Sequence, residues 1–189
     1  MIKKIFFTLC CALCCTFTTY SGEITVSEEW TTDKILLSDN KKLLELKDTL
    51  MELRYNLNYP FNIRWSCMLA LARMGEKTSV DEILSKISSK ETDSKMIYAY
   101  YPDLIYTRQK KVYDFLIKRM MEKKMTCYSA NPNNPVKIDC GYRIAEMLAP
   151  VIKDFPQRSD SKSAKKWLEK SRKWCKKQNG KYRIISNSF

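Results

Sequence analysis

Histidine is absent from all 189 residues. That absence removes the Ser/His/Asp and Cys/His nucleophile arrangements, zincin motifs and His-containing metal sites together, because each needs an imidazole as base or ligand. Glycine is scarce, at 4 residues, and beyond Gly22 only Gly75, Gly141 and Gly180 remain. No Gly-rich loop can therefore cradle a phosphate. No long Gly, Ser or Pro linker divides the chain, so residues 22–189 are expected to form one domain. Acid is under-represented: 21 Asp and Glu face 34 Lys and Arg, for a net charge of +13. Such a surplus suits acidic partners such as anionic lipid headgroups, polyanionic glycans or acidic proteins, and it equally suits a merely solvated basic surface. The apolar run from Ile5 to Phe17 is shorter than the roughly 20 residues a bilayer crossing needs.

That run sits where a secretory signal would sit. Met1-Ile2-Lys3-Lys4 precede it and Thr18-Thr19-Tyr20-Ser21 follow it, the order of charged, apolar and small-residue regions that export signals use. Thr19 and Ser21 suit the third and first positions before a cut, so cleavage is expected after Ser21, with export to the periplasm or exterior of a bacterial cell. Cys10, Cys11, Cys14 and Cys15 would leave with residues 1–21. Leu9 and Leu13 stand before Cys10 and Cys14 where lipidation expects a small residue. Cys67, Cys127, Cys140 and Cys175 remain, and an oxidising compartment allows three pairings. Cys127 and Cys140 flank the Asn/Pro loop 128–135 and are the pair expected to bridge. No Cys-x-x-Cys survives signal removal, so a thioredoxin-like redox site is unsupported.

Helical periodicity dominates the chain after the signal. Residues 22–38 form an irregular or short-helical lead-in. Leu43, Leu46, Leu50, Leu53 and Leu57 recur every three or four positions, which predicts an amphipathic helix over 41–57, closed by Tyr59-Pro60. Residues 62–74 are apolar on nearly every face and demand cover on most sides; Gly75 is placed to stop that helix. Ser79 with Glu82 offers a capping box for a second helix with Val80, Ile83, Leu84 and Ile87 inward. About four residues join the two, so they must lie antiparallel. A stretch near 95–101, a helix with Val112, Phe115, Leu116 and Met120 inward behind Thr107, and one capped by Asp139 with Ile144, Ala145, Leu148 and Ala149 inward continue the pattern. Pro150 interrupts the last of these. A final helix, opened by Asp160 or Ser161, covers 161–178 and stops at Asn179-Gly180. Strand-like alternation is confined to Lys181–Ile185, too short to found a sheet.

Ile63-Arg64-Trp65-Ser66-Cys67-Met68-Leu69-Ala70-Leu71-Ala72-Arg73-Met74-Gly75, followed by Val80-Asp81-Glu82-Ile83-Leu84, resembles a HEAT repeat of the short bacterial kind. Leu104-Ile105-Tyr106-Thr107-Arg108 with Val112, Phe115 and Leu116 is similar to a second repeat that lacks the Gly. The resemblance covers about a third of residues 22–189. It implies an all-α, right-handed solenoid of αα-hairpins, six to eight helices in one domain, with a concave binding face. It implies no catalytic activity.

The chain is accordingly expected to be a non-enzymatic scaffold that needs no cofactor and no metal. A carboxylate pair remains formally open, because acid/base work on glycosides needs only two well-placed acids. Two groups of side chains suit binding. Tyr98, Tyr100, Tyr101 and Tyr106 cluster beside Arg108, Lys110 and Lys111, and Tyr adds contact area at low entropic cost; helix-interface packing explains the same tyrosines. The C-terminal helix sets Ala164, Trp167, Leu168, Ser171, Trp174, Cys175 and Gln178 on one face. Lys162, Lys165, Lys166, Lys170, Arg172, Lys173, Lys176 and Lys177 spread over the remainder. The helix either caps the solenoid with its Trp face and turns a charged outer face to solvent or lies on an anionic membrane surface; Lys166, Lys170, Lys173 and Lys177 are its candidate binding residues. The expected partner is a protein or an anionic envelope component, with a peripheral membrane or polyanion binder as the alternative; export sets nucleic acid aside.

Overall fold

The computed structural model describes residues 30–88, 90, 92–123, 125–129, 131, 133, 135–158 and 163–185. The expected signal over 1–21, most of the lead-in, the proposed openers Asp160 and Ser161, and Lys162 lie outside them. Among the described residues the chain is mostly helical, with nine α-helices, one π-helical segment and a two-stranded sheet. No described helix is long and apolar enough to cross a membrane.

Three short helices come first among the described residues: α1 (Thr32–Leu36), α2 (Asn40–Glu45) and α3 (Lys47–Leu53). Thr31 and Asp39 cap the first two by accepting hydrogen bonds from the Lys34 and Lys42 amides. The single helix expected over 41–57 is therefore broken at Leu46 and stops at Leu53. Leu43, Leu50 and Leu53 are buried as the spacing demands, whereas Leu57 is 80% exposed. Periodicity assumes a straight helix, and the break at Leu46 re-aims the last leucine. These divisions take the helix count above the expected six to eight.

The helix α4 (Phe61–Arg73) begins directly behind Pro60 and buries residues on every side. Its all-round apolarity has a simple cause: it forms a wall shared by two cores. Ile63, Cys67, Ala70 and Leu71 pack with Ile35, Leu43, Leu50 and Leu53 of the first three helices. Trp65, Met68, Leu69 and Ala72 face the larger core formed with the rest of the chain. Gly75, at φ +86°, turns the chain into α5 (Lys77–Ser88), whose Val80, Ile83 and Ile87 are buried.

The expected Ser79/Glu82 capping box is not what starts α5. Glu76 takes that place, its carboxylate accepting from the Thr78 and Ser79 amides at 3.0 and 2.6 Å. Ser79 is itself buried and accepts from Arg54 at 2.6 Å, and Glu82 accepts from the Tyr55 hydroxyl. Burial lifts the Glu76 carboxyl, but the hydrogen bonds from Ser79 and Thr78 outweigh it and hold the group down at about 2.

Beyond α5, a π-helical segment (Met96–Tyr100) runs into α6 (Tyr101–Tyr106), followed by α7 (Lys110–Met121). Thr107 does not cap α7 as expected: the N-cap position is Gln109, which makes no side-chain cap bond. Val112, Leu116 and Met120 are buried in α7 as expected, with Tyr113, while Phe115 is half-buried. Two strands that the sequence did not disclose come next, β1 (Thr126–Tyr128) and β2 (Lys137–Asp139), paired antiparallel with Cys127 opposite Ile138. The expected disulfide joins Cys127 to Cys140, the first residue of α8 (Cys140–Leu148). Asp139 caps α8 by accepting from the Gly141 amide at 2.8 Å. The helix stops before Pro150. The segment after it returns to pair Ile152 with Ile184, so the alternation at 181–185 makes a single bridge.

The last helix, α9 (Ala164–Gln178), starts later than expected, at the N-cap Ser163. It packs on α8 and α7. Asn179 takes a left-handed conformation and ends it, as the Asn-Gly pair suggests.

Candidate functional site

The two groups of side chains singled out by the sequence meet different fates. In the tyrosine group most polar atoms are already engaged within the fold. Tyr101 is fully buried with its hydroxyl 2.9 Å from Thr92 Oγ1, so it cannot belong to a binding surface. Tyr98 donates to the Tyr128 carbonyl at 2.8 Å. The Tyr106 ring lies under the Arg73 guanidinium at 4.8 Å. Lys110 pairs with Asp114 at 2.7 Å and Lys111 with Asp81 at 2.5 Å. Arg108, at φ +54°, reaches the Ile185 carbonyl at 3.4 Å. Tyr100 lines a cleft at the N-terminal end of α4.

On α9 the sequence pattern is realised as a helix with one packed face. Trp167 is 2% exposed, donates its indole N–H to the Pro156 carbonyl at 2.9 Å and meets Tyr142 edge-on. Trp174 is half-buried against Phe155, with ring centroids 5.3 Å apart. The apolar face that a membrane helix would need is thus spent inside the protein. Lys165, Lys166, Lys170, Lys173, Lys176 and Lys177 are all exposed. At 100° per residue they fall within an arc of about 140°, and none is ion-paired among the described residues.

Arg172, counted with the basic surface by the sequence, belongs to the interior. It is 4% exposed and its guanidinium satisfies four groups at once. Nε donates to the Met120 carbonyl at 2.9 Å and Nη2 to the Glu122 carbonyl at 3.2 Å. Asp139 sits 2.9 Å from Nη1, and Glu169 sits 3.2 Å from it. Gly141 makes room: a Cβ there would stand 2.7 Å from the Met120 oxygen and 2.8 Å from Arg172 Nη2. The end of α7, the β-hairpin, the start of α8 and the middle of α9 are tied at this point, next to the Cys127–Cys140 bridge. The adjoining cavity of about 400 Å³ presents Asp139, Glu169, Lys165 and Arg172, a set that mixes both signs and already pairs Arg172 with both acids.

The cleft at the N-terminal end of α4 encloses about 420 Å³. Phe61 stacks on Trp65 (6.0 Å, 19°) and Trp65 meets Tyr100 edge-on (5.9 Å, 89°). Ile87 and Met96 line it with them, and Lys86 and Lys90 come from the end of α5 and the residues beyond it. The Trp65 indole donates to Asp103 at 2.8 Å, and burial raises the Asp103 carboxyl. Sequence patterns did not bring Phe61, Trp65, Lys86 and Lys90 together as a set. The available signal was the pairing of an aromatic-rich N-terminus on α4 with lysines four apart at the end of α5.

Cys67 and Cys175 are unbridged and buried. Burial pushes their thiols up to about 12 and about 11, so neither supplies a thiolate near neutrality. Among the described residues no group of three or more Cys, Asp or Glu is placed to hold a metal ion.

No family model matches the chain, and no curated protein or solved structure matches it. The fold on its own defines a class: a multi-helix, mostly helical domain.

Proposed function

We propose that the protein is an exported, non-catalytic module of HEAT-like paired helices that binds an anionic cell-envelope component through the lysine face of α9. The observation that carries this is the arc of six exposed lysines without ion-pair partners among the described residues, on a helix whose opposite face is buried. Packing of α9 by Trp167 and Leu168 fixes the direction of that face, so charge is presented on a rigid element and little ordering cost attends binding. Each lysine held near an anionic surface contributes about 1 kcal/mol, enough for several together to give useful affinity without an apolar anchor. The pairing of α4 with α5 across the Gly75 turn supports the HEAT-like reading of the architecture.

The test is retention on vesicles of anionic phospholipid and on an immobilised sulfated glycan, each at rising salt. Binding is expected to weaken steeply as the Debye length falls below about 10 Å at 0.1 M. It is also expected to disappear in the Lys166→Glu/Lys170→Glu/Lys173→Glu variant while helicity is unchanged. Retention that is indifferent to salt, or to that triple reversal, would refute the reading.

A further inference from the structure

The aromatic cleft is built differently from the lysine face and calls for a different ligand. Phe61 is 49% exposed although it is a large apolar residue, and it extends the wall that Trp65 and Tyr100 begin. Trp65 has its one polar atom committed to Asp103, so it offers the cleft a fixed ring and no donor. Tyr100 and Met96 reach the cleft from the π-helical segment Met96–Tyr100. Such segments are uncommon and recur at functional sites. The rim also carries two cations, Lys86 and Lys90, neither ion-paired among the described residues. Arg119 Nη2 fixes that rim by donating to the Ser88 and Lys90 carbonyls at 2.8 and 3.4 Å.

Apolar and cationic recognition therefore stand side by side on separate elements, the rings on α4 and the π-helical segment, the ammonium groups on α5 and just past it. A ligand that satisfies both carries its charges beside its apolar body, as neighbouring side chains of a polypeptide do. Charge complementarity sets the sign. We propose that this cleft docks an acidic polypeptide segment, seating one large apolar side chain against Phe61, Trp65 and Tyr100 and flanking carboxylates against Lys86 and Lys90. Buried aromatic anchors of this kind carry most of the energy of small interfaces. The proposal stands independently of the α9 reading.

The probe is the synthetic pentapeptide acetyl-Asp-Glu-Phe-Glu-Asp-amide, titrated calorimetrically into the purified protein. Saturable binding is expected, weakened about tenfold or more when alanine replaces the phenylalanine or lysine replaces the acids. Phe61→Ala and Lys86→Glu/Lys90→Glu are expected to cause the same loss. These side chains are exposed enough that folding, checked by circular dichroism, should persist. The triple reversal on α9 should leave this affinity unchanged. The proposal is overturned if the pentapeptide fails to bind at millimolar concentration, if the lysine peptide binds equally well, or if neither cleft variant weakens binding. It is also overturned if N-acetylphenylalanine alone binds as tightly, which would make the cleft a small-molecule site.

Discussion

Arg172 shows how little a side chain's charge says about its place. Its position on α9 falls on the buried side of the helix, but its partners are Asp139 and the carbonyls of Met120 and Glu122, far off in sequence. Removing it strands a half-buried carboxylate and two backbone acceptors. Arg172→Ala is expected to cost about 3–5 kcal/mol, the usual penalty for breaking a buried pair, seen as a lower urea midpoint. Lysine should not rescue it, because a point charge cannot reproduce the planar fork. Glu76 makes a prediction about acid. Its folded pKa, about 2, lies below the roughly 4.3 of an unperturbed Glu, so its stabilising effect is complete above the unfolded value and lost as pH falls toward 2. Glu76→Gln should flatten the stability profile between about pH 4.5 and 2. An unaltered acid limb in the variant would show that other carboxylates govern it.

Among the elements, the hairpin β1–β2 depends most on a covalent tie. Three residue pairs are too few to hold a ribbon on their own. The Cys127–Cys140 bridge closes a loop with a sequence separation of 13, worth about 3 kcal/mol in chain entropy. The double variant Cys127→Ser/Cys140→Ser should lose about that much stability, and reductant should lower the wild type to the same level without affecting the variant. Equal stability of the two oxidised proteins would refute this. That pairing was legible because a short loop flanked by cysteines is a local pattern, and the Asp139 cap and the Gly75 stop were legible for the same reason. The hairpin between the cysteines was not, since strands of three residues show too little alternation to register. The break at Leu46 and the Glu76 cap escaped because periodicity fixes which side of a helix is apolar but not where it stops. The candidate cleft was half visible: Tyr100 stood out in its cluster, whereas Trp65 looked like ordinary core on an all-apolar helix and Phe61 fell just outside the helix expected over 62–74.

For the whole molecule, the two cores on either side of α4 have a consequence for how the protein opens. The first three helices hold one small core, with Ile35, Leu43, Leu50 and Leu53 against α4. The larger core holds α4 from the other side through Trp65, Met68, Leu69 and Ala72. Releasing α1 to α3 would expose only one flank of α4, while unfolding α4 would break both cores. Hydrogen exchange should therefore rank the amides in a gradient. Those of α1 to α3 should exchange through a partial opening below the global free energy, and those of Met68 to Leu71 only through complete unfolding. In mild denaturant the protein would pass through a state that has shed its N-terminal helices and kept both candidate binding surfaces, so loss of ligand binding should lag behind the first loss of exchange protection.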